Sequence, residues 1–169
     1  MLPKGAAHAL AGIMAHPLNE AEFDPQTKRV IAGYTVVQPR VEIDPASEET
    51  STFTRIVAGD IGIDPYSHAV SDAYQDLFGT GIYVGKGIYD VASFTSSLAH
   101  TIPSRRVLSH DLLEGVLGRA GLASDISVYE HFPPNYIAYA RRMHLWIRGD
   151  WQLIPCLSSP IPVTAGHSG

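Results

Sequence analysis

Cysteine is nearly missing: Cys156 is the only one in 169 residues, which excludes a disulfide within the chain and any cysteine-built metal cluster. No apolar run approaches the roughly 18–20 residues that a bilayer span requires, so no membrane span is expected. Basic excess is missing too, since 12 Lys and Arg stand against 17 Asp and Glu, a formal charge of −5. A nucleic-acid binder would show the opposite balance, so nucleic acid is not an expected partner. Met1 to Met14 has one early lysine and small residues but no clear cleavage site, unlike a signal peptide. There is no internal repeat and no low-complexity block. What is there, 45% apolar and 17% charged residues, is the composition of one soluble globular unit or a soluble piece of something larger.

Strand and helix signals alternate, which predicts an α/β chain. Lys4 to Ala15 predicts a short helix, ended by Pro17 because proline disfavours helical geometry in the residue before it. Val30 to Val41, with Val30, Ile31, Tyr34, Val36, Val37 and Val41, predicts a mostly buried strand closed by Pro39 and Pro45. Glu42 to Thr52 reads as an exposed acidic loop. Asp64 to Gly79 predicts a helix, with Asp64 as cap, Pro65 in the first position and Gly79 just past the end. Its apolar stripe is Tyr66, Ala69, Val70, Ala73, Tyr74, Leu77 and Phe78, with His68, Asp72, Gln75 and Asp76 away from it. After a glycine-rich stretch to Tyr89, Ser109 to Arg119 predicts a helix with Leu112, Leu113, Val116, Leu117 and Ala120 inward and Gly121 as its stop. Asp125 to Phe132 alternates as a strand, and a third helix begins near Asn135 and carries Tyr136, Ile137, Ala140, Met143 and Ile147. The pattern dissolves after Leu153, and 154–169 reads as a disordered tail.

Four features carry candidate chemistry. Gly81-Ile82-Tyr83-Val84-Gly85-Lys86-Gly87 is one residue short of a phosphate-binding loop and lacks its hydroxyl, and Gly79-Thr80-Gly81 follows a helix rather than the strand of a dinucleotide fingerprint. The stretch is then a turn-rich loop, or one whose bare backbone admits a sugar with Tyr83 or Tyr89 as stacking surface. Eight histidines show no ligand spacing, so no metal site is expected. Ser109-His110-Asp111-Leu112-Leu113-Glu114-Gly115 is the richest acid–base cluster. Asp111 and Glu114 are three apart, predicting a shared face opposite the apolar one, and Asp111 in a first helical turn is favoured as an ionised general base. Acidic residues in a first turn also serve stability alone. Finally, Arg141 to Gln152 packs Arg141, Arg142, Arg148, Trp146 and Trp151 into one short run. Such a run clamps a diphosphate beside stacking indoles, or is an amphipathic helix with tryptophans in the core and arginines in water.

Gly62-Ile63-Asp64-Pro65-Tyr66, Val70 to Phe78, Gly85-Lys86-Gly87-Ile88-Tyr89-Asp90-Val91, Leu108 to Gly115 and Arg148-Gly149-Asp150-Trp151-Gln152-Leu153 occur in that order. With Met14 to Asn19 and Gln38-Pro39-Arg40, they make the chain resemble, from about Leu2 to Leu153, the glucosyltransferase domain of cyclic β-1,2-glucan synthases. The resemblance implies a partial GT-A-like nucleotide-sugar transferase fold related to cellulose synthases: residues 1–153 as its acceptor-side half, an α/β unit with a mixed sheet and flanking helices. It implies an inverting transfer of glucose from UDP-glucose to a growing β-1,2-glucan, in a full synthase at the cytoplasmic face of the bacterial inner membrane; this chain alone reads as soluble and cytoplasmic.

On that comparison Asp111 matches the carboxylate that deprotonates the acceptor, and His110 stands where related enzymes have glutamate. The resemblance puts Trp146 at the acceptor and nearby arginines, Arg142 and Arg148, at the diphosphate; Glu114, Tyr83 and Trp151 are further candidate substrate contacts from residue type and position, with His110. Leu145 occupies a position expected to be arginine. The complete family enzyme uses Mg2+ or Mn2+ held by an Asp-x-Asp pair. No Asp-x-Asp occurs in these residues, so the donor-binding half is expected to be missing, no metal is expected on this chain, and the isolated chain is expected to be inactive. Two rival readings remain at this stage, a carbohydrate-binding remnant without catalysis and a glycoside hydrolase pairing Asp111 with Glu114 or Glu130.

Overall fold

The structure, a computed structural model, describes residues 1–58, 72–98 and 111–154. The alanine- and leucine-rich start folds as α1 (Ala6–Met14), and a short 3-10 turn at Pro17–Asn19 follows it. β1 (Glu22–Phe23) and β2 (Val30–Ala32) then form a small antiparallel ribbon. The single strand expected over Val30 to Val41 is thus two, broken at Gly33. That residue sits at φ +68°, and a Cβ there would fall 1.9 Å from the Glu20 carbonyl oxygen, so only glycine permits the turn.

β3 (Val36–Ile43) runs straight through Pro39, which was expected to close it. The missing N–H is tolerated because the register of the partner strand jumps between Pro39 and Arg40. The end of β3 and α2 (Pro45–Glu48), capped by Asp44, take up most of the loop expected over Glu42 to Thr52, and α3 (Thr52–Val57), capped by Ser51, follows it. Ser47 is buried, and its hydroxyl oxygen accepts from the Phe132 N–H at 3.1 Å.

α4 (Ala73–Phe78) is the described part of the helix expected from Asp64; the start at Asp64 and Pro65 lies outside the described residues. Gly79 ends it in the left-handed conformation, as expected. Several of its described residues face the other way from expectation. Tyr74, Leu77 and Phe78 are exposed, whereas Asp72 is buried as the cap and Gln75 reaches the sheet. The Leu122 N–H donates to Gln75 Oε1 at 2.6 Å, and Gln75 Nε2 donates to the Leu122 carbonyl at 3.1 Å. A polar side chain that mimics a paired strand overrides the apolar periodicity.

β4 (Ile88–Tyr89), α5 (Val91–Leu98), α6 (Asp111–Gly118), β5 (Ala120–Glu130) and α7 (Tyr136–Trp151) follow. α6 stops at Gly118 rather than Gly121, since Arg119 turns to φ +54° and Ala120 already pairs with Val36. Ala120, expected on the helix, is therefore a buried strand residue. Asn135 caps α7, its side-chain oxygen accepting from the Ala138 N–H at 3.0 Å. Tyr136, Ile137 and Ile147 on that helix are exposed.

The main sheet has the order β4-β3-β5, with β3 parallel to β5 and antiparallel to β4. Neighbouring strand residues face opposite ways. Val37 accordingly packs under α1 with Ala6, Leu10, Ala123 and Ile126, while Val36 packs on the other face with Tyr83 and Ala120. Ile43, Ala58 and Phe132 form a third cluster with Phe53, Val57 and Tyr139, tying α3 and α7 to the carboxyl ends of β3 and β5. This is a mixed sheet flanked by helices, the α/β class the sequence predicts.

Gln38, on the central strand β3, does for the glycine-rich loop what Gln75 does for β5. Only 2% exposed, it donates to the Ile82 carbonyl at 2.6 Å and accepts from the Val84 N–H at 3.0 Å. Gln38→Leu leaves both backbone groups unpaired, at about 1–3 kcal/mol each. Urea unfolding of the full chain is expected to show a loss of about 2–6 kcal/mol; a loss below about 1 kcal/mol would contradict this role.

Candidate functional site

The glycine-rich loop is held to the sheet by Gln38, and this aims Tyr83 inward rather than outward. Tyr83 is 1% exposed, packed with Val36 and Ala120. It cannot be the sugar-stacking surface the sequence suggested. Gly115 of α6 is what admits it: a Cβ on Gly115 would lie 2.6 Å from Tyr83 Cβ. The Tyr83 and Tyr89 hydroxyls hydrogen-bond to each other, and the Tyr89 ring meets Phe94 edge-on with centroids 4.6 Å apart.

Asp111 and Glu114 occupy the first turn of α6, both half-buried. They were expected opposite the packed face, but the packed face is the one carrying Gly115 and Gly118, and the carboxylates share it. Leu112 and Val116, expected inward, are exposed. The glycines decide this, because a helix without side chains on one side approaches its neighbours most closely there; Thr35 donates its hydroxyl to the Gly118 carbonyl at that contact. The Asp111 carboxylate lies against Gly85, an oxygen sitting 3.4 Å from where a Cβ would be. His110, the other acid–base candidate, lies outside the described residues.

The charges of Asp111 and Glu114 act on the tyrosine pair. Burial first, then the bond to Tyr89 and the two carboxylates, hold the Tyr83 hydroxyl far above the ordinary tyrosine range. Tyr89 is raised by burial and by Glu114 and Asp111, with the Tyr83 hydrogen bond acting the other way. Both phenols thus stay protonated well into the alkaline range, within electrostatic reach of the two carboxylates.

Beyond Gly85, Lys86 takes the left-handed conformation at φ +62° and pairs with Glu130 at the end of β5. Arg142 of α7 reaches the same Glu130 oxygen, Oε2, at 3.4 Å. Its guanidinium carbon also lies 4.5 Å from the centroid of the Trp146 ring. The arrangement brings Arg142 and Trp146 together with Lys86 and Glu130. Arg148 and Trp151 are not on that side: at about 100° per residue they stand roughly 120° and 180° around α7 from Arg142. Trp151 is 68% exposed, and Leu145 is exposed as well. The reading of both tryptophans as core residues is thus corrected.

Sequence reasoning missed Lys86 as a site residue and carried Glu130 only as a hydrolase carboxylate. The available signal was a lysine flanked by glycines, with no bulky neighbour to shield it. Among the described residues no group of three or more His, Cys, Asp or Glu side chains is placed to hold a metal, and no helix is long and apolar enough to cross a membrane.

The raised tyrosines set an alkaline limit. Unfolded tyrosines ionise near pH 10 while Tyr83 stays protonated in the fold, so the stability this hydroxyl contributes is full below about pH 10 and is lost as pH rises further. Urea midpoints measured from pH 9 to 11 are expected to fall, and Tyr83→Phe is expected to flatten that fall. An equally steep decline in Tyr83→Phe would contradict the assignment.

No family model matches the chain. It is 44% identical over 160 residues, 94% of its length, to the cyclic beta-(1,2)-glucan synthase NdvB of Rhizobium meliloti (strain 1021). It spans only 6% of that protein. The chain is related to a segment of a cyclic β-(1,2)-glucan synthase, as the order of its motifs implied.

Proposed function

We propose that this chain is the acceptor-side part of an inverting, GT-A-like glucosyltransferase domain that moves glucose from UDP-glucose to a growing β-1,2-glucan. The observation that carries this reading is the place of Asp111: half-buried at the start of α6, against the bare backbone of Gly85, beside two neutral phenols. The relation to a glucan synthase supplies the sugar chemistry. Asp111 takes the proton from an acceptor hydroxyl, the oxygen attacks the anomeric carbon of glucose, and the bond to the diphosphate breaks on the opposite face. Glu114 lies beside the acceptor, and His110 is assigned to acceptor binding from the sequence alone. Trp146 offers an indole face to glucan rings, and Arg142 offsets charge on the departing diphosphate, whereas Arg148 and Trp151, on other sides of α7, are left out of this site. The complete synthase works at the cytoplasmic face of the inner membrane in this reading.

A divalent cation belongs to the family's chemistry, but the residues here do not fit one. There is no Asp-x-Asp in the sequence and no acidic or histidine cluster among the described residues. No step is routed through a metal on this chain, and the uridine and metal contacts are assigned to other parts of a synthase.

The hydrolase reading fares worse. Asp111 and Glu114 rise from one helical turn, so they do not face a glycosidic bond from two sides, and Glu130 is already engaged by Lys86 and Arg142. Glucan binding without catalysis is favoured by one observation, the exposure of Trp146 and Trp151 along α7.

Incubated with UDP-glucose, manganese and a β-1,2-glucan primer, the isolated chain is expected to release no UDP; steady release would contradict the division of labour proposed. In the Rhizobium meliloti synthase with this chain in place of its matched segment, Asp111→Asn is expected to lower UDP release by about 10²- to 10⁴-fold. Retention of full activity in that variant would overturn Asp111 as base.

A further inference from the structure

Glu130 touches both sides of the candidate site. Its Oε2 takes Lys86 from the glycine-rich loop and Arg142 from α7. Lys86 follows Gly85, whose backbone meets the Asp111 carboxylate, and Arg142 covers the Trp146 ring at 4.5 Å. An unbroken physical chain therefore runs Asp111, Gly85-Lys86, Glu130, Arg142, Trp146.

Each link is modest in energy, since partly exposed ion pairs contribute little to stability. What they fix is geometry. Lys86 holds a backbone conformation that side-chain-bearing residues adopt rarely, and its ammonium is anchored at Glu130. The Arg142 guanidinium has two simultaneous partners, a carboxylate and an indole face, which leaves little rotational freedom for either ring plane.

The geometry points to Glu130 as a positioning residue that sets the Trp146 indole relative to Asp111 for acceptor glucan. This rests on the acceptor-side reading above. Glu130 itself touches no substrate in this account and acts through Arg142 and Lys86. The hydrolase role considered from sequence is replaced by one in which the charge, not the acidity, of Glu130 matters.

The chain has two tryptophans, so its indole N–H groups give two resonances, with Trp151 as an internal control on the far side of α7. In the full chain, Glu130→Gln is expected to move the Trp146 indole resonance, leave that of Trp151 in place, and weaken binding of a β-1,2-linked gluco-oligosaccharide by about tenfold. Glu130→Asp keeps the charge and is expected to recover most of both. Unmoved resonances with unchanged oligosaccharide affinity in folded Glu130→Gln would overturn the inference. Should that variant unfold, Lys86→Met is the second test: weaker oligosaccharide binding with an unmoved Trp146 resonance supports the linkage, and unchanged affinity overturns it. If the unsubstituted chain binds no oligosaccharide, the acceptor reading falls, and the indole shift alone decides Glu130: a moved Trp146 resonance upholds it and an unmoved one overturns it.

Discussion

The contact between Tyr83 and Gly115 is the constraint on which the site depends. A buried aromatic ring joins a loop to a helix only where the helix offers no side chain, and a Cβ at Gly115 would stand 2.6 Å from Tyr83 Cβ. Interiors are packed too densely to absorb such an overlap without moving one element. Because Tyr83 is fixed, Gly85 lies two residues on against Asp111, and the first turn of α6 is held at the loop. The position of the candidate base thus follows from packing behind it.

Two buried glutamines complete this frame. The sheet is narrow, and the backbone groups on its flanks need partners that neighbouring strands would otherwise supply. Gln75 supplies them on β5 at Leu122, and Gln38, on the central strand, does the same for the loop backbone at Ile82 and Val84. Each gains a donor and an acceptor from a single side chain, so the loop and α4 are registered as firmly as strands. The electrostatic layer lies outside this frame: carboxylates on α6, neutral phenols beneath them, and the Lys86–Glu130–Arg142 bridge above the strand ends.

The legible parts of the fold were those written in local signals. Asn135 announces α7, Gly79 ends α4, and the β-branched run announces β3. The parts misread were those in which a glycine or glutamine makes the decisive tertiary contact. Helical periodicity placed Leu112 and Val116 inward because it weighs apolar size, whereas α6 is packed through Gly115 and Gly118, which carry no apolar weight. Periodicity likewise turned Gln75 to solvent. Of the site, Asp111, Glu114, Arg142 and Trp146 were visible from residue type and order. The burial of Tyr83 and the joining of Lys86 to Glu130 were not, since they depend on Gln38 and on the end of β5, far away in sequence.

The central claim is spatial: an acceptor glucan is held with one hydroxyl at Asp111 and a ring at Trp146. A crystal structure of the chain with a short β-1,2-linked gluco-oligosaccharide addresses it without any need for turnover. The account requires the 2-hydroxyl of the terminal glucose within about 3 Å of the Asp111 carboxylate, with a sugar ring on the Trp146 indole. A glucan seated elsewhere, with Asp111 out of reach of every sugar hydroxyl, would contradict it.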